Sequence, residues 1–158
     1  MTSRRAVIKA CSRALFGVSL SLATVEASAS DPIVIELTQV PCQFLEPERG
    51  KNHGFQSAGK KDCVAINAET EAARLAEAKT IRLKPGKYIF RVTNLNVDYE
   101  LGFWLRGDGM LDRLSLPSVS GGGLKTGTTR DFEILLEQGE YVYSCPRNPT
   151  PAYKLVVK

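Results

Sequence analysis

Histidine is nearly missing from this chain: His53 is the only one among 158 residues. A metal hydrolase needs a histidine pair, and a serine or cysteine nucleophile needs a general base, so hydrolytic catalysis has almost nothing to work with. Asp108 and Asp112 come nearest to a carboxylate pair, and their loop-like setting reads as solvated surface. Long hydrophobic runs are missing too. The apolar stretch at residues 14–25 is too short and too rich in Ser and Gly to remain as a membrane anchor, and no later segment approaches ~18 apolar residues. A strong charge of one sign is also lacking. Much of the net +4 belongs to Arg4, Arg5, Lys9 and Arg13, and without the first 29 residues the balance falls to about +1. Neither nucleic acid nor an anionic membrane is an expected partner of so neutral a body.

What is present is ordinary globular material of one-domain length. With 43% hydrophobic and 24% charged residues the chain is neither disordered nor fibrous. Its N-terminus has the three parts of an export signal. The basic MTSRRAVIKACSR precedes the apolar ALFGVSLSLATV and the small-x-small site Ala27-Ser28-Ala29. Cleavage is expected after Ala29, leaving a domain over residues 30–158 with no membrane anchor. SRRAVIK resembles the twin-arginine signal, which implies bacterial export of a folded protein to the periplasm. An ordinary secretory leader that happens to hold Arg4-Arg5 is the alternative.

The remainder alternates in the manner of half-buried strands separated by turn residues. Ile33–Leu37, Thr80–Leu83, Tyr88–Val92, Leu101–Leu105, Arg130–Leu136, Glu140–Ser144 and Lys154–Lys158 are the segments concerned. Pro85-Gly86 reads as a turn and Gln138-Gly139 as the turn of a hairpin. Asn67 is placed to cap one short surface helix over Ala68–Lys79. Ser118–Gly127, with Gly121 to Gly123, reads as a loop; no Gly-Lys-Ser/Thr follows, so it is no phosphate cradle. Seven or eight such strands predict a mainly β sandwich. Phe103, Trp104, Tyr141 and Tyr143 are expected in its core.

Three phrases carry a family resemblance. LKPGKYIFRVTN looks like a strand pair feeding an Asn-containing loop, GTTRDFEILLEQGEYVYSCP like a hairpin that delivers a cysteine, and KLVVK like a closing strand. In this order they resemble the cupredoxins, small Greek-key β-sandwiches. That family holds copper through an upstream His, the hairpin Cys, a following His and a weak axial Met. The cysteine carries over as Cys145. The other positions fall at or near Tyr99, at Asn148 and at Tyr153, so the implied copper site is degenerate. A blue centre needs two imidazoles beside the thiolate. An Asn amide ligates copper poorly, and a phenol holds its proton to about pH 10.

Beyond the leader three cysteines remain. In an oxidising compartment Cys42 and Cys63 are expected to pair, closing a polar loop for ~3 kcal/mol of stability. The alternative is a soft metal site of Cys42, His53 and Cys63. Taken alone, His53 reads as a solvated loop residue. Cys145 is either a buried thiol packing as a small hydrophobe or a thiolate ligand. Three prolines in Pro146–Pro151 stiffen the chain beside it. The leading functional expectation is a periplasmic protein, monomeric and not an enzyme, that binds or delivers copper in a non-blue site through Cys145, in a redox-accessory role. A metal-free sandwich that contacts a protein or small ligand is the second. A redox sensor is the third, and it requires Cys145 to be exposed and of lowered pKa.

Overall fold

The computed structural model describes residues 31–158, so the expected export signal and the expected cleavage at Ala29 lie outside the described residues. Among the described residues, nine strands and two helices follow one another. They are β1 (Ile33–Val40), β2 (Gln43–Phe44), α1 (Lys60–Glu77), β3 (Ile81–Leu83), β4 (Gly86–Asn94) and β5 (Leu101–Gly107), then α2 (Met110–Ser115), β6 (Val119–Leu124), β7 (Thr129–Leu136), β8 (Gly139–Ser144) and β9 (Tyr153–Val157). One sheet has the order β2-β1-β4-β7 and the other β3-β9-β8-β5-β6. This is the expected mainly β sandwich.

Alternation builds the core. In β4 the odd side, Lys87, Ile89 and Arg91, is at least partly exposed, while Tyr88, Phe90 and Val92 are buried. β1 runs parallel to β4, pairing Ile33 with Tyr88 and Leu37 with Val92, so Leu37 joins the same inner face. From the opposing sheet come Phe103, Leu105, Tyr141, Tyr143, Tyr153 and Leu155. Phe103 sits at the centre, with ring centroids 5.1 Å from Phe132, 5.6 Å from Phe90 and 6.2 Å from Phe44. Such aromatic packing adds pair attractions to a large apolar area removed from water.

Several local expectations are corrected. The segments flanking Gln138-Gly139 form no hairpin: β7 pairs with β4 in one sheet, and β8 pairs with β5 and β9 in the other. The chain crosses the sandwich there, as it also does at Pro85 between β3 and β4. Alternation shows which face of a strand is buried but not which strand lies beside it. The triglycine segment is not a loop but part of β6, paired to β5 across a register shift between Leu101 and Phe103. Close approach explains its composition. A Cβ on Gly102 would stand 2.6 Å from the Gly121 carbonyl oxygen, and one on Gly121 would stand 2.9 Å from the Phe132 ring. Trp104 is not a core residue. It lies on the outer face of β5, 36% exposed, with the Arg106 guanidinium 4.1 Å above its ring.

The expected helix exists but starts at Lys60 rather than Ala68, so Asn67 is interior and buried, not a cap. Strand direction defines two poles. The ends of β1, β4 and β8 at Val40, Asn94 and Ser144 mark the upper one. The lower one holds Ile33, Leu136, Gly139 and Gly107, followed by α2.

Phe103→Ala is expected to destabilise by roughly 3–5 kcal/mol, whereas Trp104→Ala stays within about 1 kcal/mol. Equal urea midpoints for the two variants would contradict this placement of the two rings.

Candidate functional site

The upper pole gathers most of the residues singled out in the sequence. β8 ends at Ser144 and delivers Cys145 into the interior, where it is 1% exposed and belongs to the hydrophobic core. Its sulfur accepts the backbone N–H of Asn148 at 3.2 Å and that of Gly102 at 3.5 Å. Burial pushes the Cys145 thiol up, against the pull of the backbone N–H groups of Gly102, Asn148 and Arg147. A buried thiol of raised pKa is not a redox sensor, and that expectation is corrected.

Asn148 is the hub of this corner. Its Oδ1 accepts the Cys42 backbone N–H at 2.8 Å and the Tyr99 hydroxyl at 3.1 Å, while its Nδ2 donates to the Val40 carbonyl at 3.0 Å. The Ser57 and Tyr99 hydroxyls lie 2.8 Å apart. Cys42 and Cys63 are joined in a disulfide, with Cα atoms 5.0 Å apart. The expected pairing is therefore present, and the alternative metal site of Cys42, His53 and Cys63 is corrected, because two of its three donors are bonded to each other. The Cys63 sulfur is 3.1 Å from Asn148 Oδ1, 3.3 Å from Ser57 Oγ and 3.8 Å from Tyr99 Oη. Two of the four positions carried over from the resemblance, Tyr99 and Asn148, thus meet at a disulfide sulfur, and a third, Cys145, is joined to this corner through the Asn148 backbone N–H.

Tyr153 does not join them. It begins β9, its ring packs on Tyr143 and Phe44, and its hydroxyl bonds Glu48 and Arg74. Burial, first of all, and the Glu48 bond push its phenol well above the ordinary tyrosine value. His53 is not a solvated loop residue either. Its Nε2 is 2.6 Å from Glu48 Oε2, and its ring stacks on Phe55 with centroids 5.2 Å apart.

Sequence reasoning missed Glu48 and Arg74. Glu48 Oε1 accepts from Arg74 Nη2 at 2.6 Å and from Nε at 3.0 Å, and it also accepts from the Tyr153 hydroxyl. Arg74 further donates to the Cys42 carbonyl at 3.0 Å and to Asn67 Oδ1 at 2.8 Å. Asn67 Nδ2 in turn donates to the Pro149 carbonyl at 2.7 Å. Burial raises the Glu48 carboxyl, but Arg74, Tyr153 and His53 outweigh it and hold the group below the usual range. Cys63, Asn67 and Arg74 are the buried residues of α1, so its inward face is polar and carries no apolar stripe to find.

The donors do not suit copper as the resemblance would have it. Asn148 has no free carbonyl lone pair turned to an open position, Tyr99 is hydrogen-bonded, and Tyr153 is elsewhere. Among the described residues no group of three or more His, Cys, Asp or Glu side chains is placed to hold a metal ion. A shallow cleft over Gly102, Gly121 and Gly122 is walled by Trp104, Pro146 and Arg147.

No family model matches the chain, and no curated protein does. Among solved structures, auracyanin B is similar over 82% of this chain and 91% of its own, at 12% identity and a TM-score of 0.49. An oxidized mutant of amicyanin is similar over 84% of this chain and 88% of its own, at 16% identity and a TM-score of 0.41.

Two outcomes test this corner. Replacing Cys42 and Cys63 together by alanine is expected to cost about 3 kcal/mol in urea unfolding, and an unchanged midpoint would mean that the bridge constrains nothing. Because the Glu48 pKa is lowered in the fold, its contribution is complete above the ordinary glutamate value and fades as pH falls through the lower folded value. Glu48→Gln leaves the buried Arg74 charge uncompensated, so a loss of roughly 3–5 kcal/mol at pH 7 is expected. The variant's stability should also decline less steeply than wild type below about pH 4.5. Parallel curves of stability against pH would contradict it.

Proposed function

We propose that this chain is an exported, periplasmic, cupredoxin-like sandwich that works as a metal-free binding module, contacting a protein or small ligand at its upper pole. One observation carries the reading. Tyr99 and Asn148, two of the positions where the resemblance would put copper ligands, are hydrogen-bonded to each other beside the Cys63 disulfide sulfur. A ligand amide that already serves three protein groups must break those bonds to bind a metal, and each buried group left unpaired costs about 1–3 kcal/mol. The glycine-floored cleft between Trp104 and Arg147 offers a flat surface, an aromatic edge and a cation for the contact.

A second reading keeps copper, bound or delivered in a non-blue site through Cys145, with a redox-accessory role. It is favoured by the two backbone N–H groups aimed at the Cys145 sulfur, since such donors favour the thiolate form. Under that reading Cys145 anchors the metal, copper is the cofactor and the partner is another periplasmic protein.

Elemental analysis of protein exported through its own leader separates the two. The binding-module reading expects far less than one copper per chain, no absorption near 600 nm, and one titratable thiol after unfolding without reductant. Near-stoichiometric copper that disappears in Cys145→Ala would overturn it in favour of the second reading.

A further inference from the structure

The two sides of the sandwich treat their sheet edges differently. On one side β6 and β7 close against each other: the Arg130 guanidinium donates to the Gly122 carbonyl, and the Phe132 ring lies against Gly121. On the other side β1 and β3 leave a groove of about 540 Å³ between residues 35–37 and residues 79–82, with Glu46 and Pro47 completing its lining. β2 does not fill it, because its two residues cover β1 at Gln39 and Val40 alone.

Hydrogen bonding shows what points into this groove. Along a strand the main-chain groups of successive residues point to opposite edges. The Gln39 carbonyl accepts the Leu95 N–H at 3.0 Å, so Gln39 and the other odd residues of β1 serve β4. Thr38 faces the other way. Its carbonyl accepts the Leu45 N–H at 3.0 Å, and its N–H donates to Glu46 Oε2 at 2.7 Å. Val34 and Glu36 share the direction of Thr38, and their main-chain groups have no partner among the described residues. β3 repeats the pattern. The Leu83 carbonyl accepts the Lys158 N–H at 3.0 Å, so Ile81 and Leu83 serve β9 and Arg82 turns its N–H and C=O away from it. A row of unpaired donors and acceptors at strand spacing is the template for another extended chain.

Floor and charge narrow the occupant. Leu37 is buried, and Ile35 and Ile81 pack against the core, so the floor is apolar. Glu46 is engaged by Thr38, and Glu36 lies 3.6 Å from the Arg91 guanidinium. Lys79 and Arg82 are exposed and in no ion pair among the described residues. The uncompensated charge of the groove is therefore positive.

We infer that the groove takes an extended, acidic segment of a partner protein, added as a strand to β1 through the N–H and C=O groups of Val34 and Glu36. Its apolar side chains lie over Ile35 and Ile81, and its carboxylates turn toward Lys79 and Arg82. In strand addition main-chain bonds give affinity, and side chains select the sequence. The groove shares no residue with the cleft between Trp104 and Arg147, so this goes beyond the binding-module reading. Copper at Cys145 would overturn that reading and leave this one intact.

The test uses a fluorescent heptapeptide of alternating valine and glutamate, with lysine in place of glutamate as its control. Anisotropy titration of the purified protein is expected to show saturable binding of the glutamate peptide and roughly tenfold weaker binding of the control. Amide exchange read by NMR should slow by roughly tenfold or more at Val34 and Glu36, and stay as it was at Ile35 and Leu37, which β4 already holds. Glu36→Pro removes an N–H that β4 does not use and should weaken binding roughly tenfold. Arg82→Glu, at an exposed position, should weaken it roughly fivefold with thermal unfolding unchanged, and it decides the matter if the proline variant does not fold. Failure of wild type to bind the glutamate peptide overturns the inference. So does binding that leaves exchange at Val34 and Glu36 unaltered, or light scattering that shows a dimer in which those two amides are already protected, since a second copy of the chain would then be the occupant.

Discussion

The side-chain amide of Asn148 is the constraint on which the upper pole depends. Through its two heavy atoms it holds the end of β1 at Val40, the start of the next turn at Cys42 and the loop before β5 at Tyr99. Its own backbone N–H reaches back to Cys145. Buried in a medium of low dielectric, these bonds strengthen one another, and each would be costly to leave unmade. The geometry of Cys145 is then a consequence. The thiol is held between a backbone amide of β5 and one of the loop that Asn148 itself anchors.

A similar logic holds α1 against the sandwich, with charge in place of neutral amides. Arg74 meets Glu48, Asn67 and the Cys42 carbonyl, and Glu48 meets Tyr153 and His53. A buried ion pair adds little net stability relative to an apolar pair of the same shape, but it is exacting about geometry, and loss of either partner is severe. That exactness matters here because α1 carries Cys63. The disulfide can close only if α1 is seated in one rotation and one register, and the arginine about three turns further along fixes both. Apolar packing alone would tolerate a slide of the helix; a guanidinium with five protein partners does not.

Legibility in the sequence follows the range of the interaction. The inward faces of β4 and β9 were plain, since Tyr88, Phe90 and Val92, or Leu155 and Val157, alternate within a few residues. The Cys42–Cys63 pairing was legible from compartment and count, and the arrival of Cys145 from a strand end was legible from EYVYSCP. What failed depended on partners far away. Whether β7 and β8 share a sheet is decided by β4 and β5, not by Gln138-Gly139. The glycines of β6 look like a loop until Phe132 and Gly102 are known to press on them. His53 reads as solvated until Glu48 is brought to it, and α1 hides its true start because its buried face is Cys63, Asn67 and Arg74. Even the ligand positions inferred from the resemblance divide this way. Tyr99 and Asn148 reach the corner, but Tyr153, the furthest along the chain, is claimed by the core.

The two poles spend polar and apolar groups in opposite senses. At the upper pole, where open polar groups would serve a metal or a reaction, the Asn148 amide and the Tyr99 and Ser57 hydroxyls are turned inward and bonded to one another or to the backbone. At the lower pole, three large apolar side chains of α2 are turned outward while its one acid faces the sheet. Core packing cannot explain this inversion, because Leu116 and Val119 already fill the inner edge of that pole. Nor can helix formation: six residues are too few to be stable alone, so α2 is held by its neighbours at Gly107 and gains nothing from its exposed face. Exposed apolar area of this kind brings a solubility cost without a folding gain. The sandwich separates the two poles by the length of its strands, so a contact at one leaves the hydrogen bonds of the other untouched.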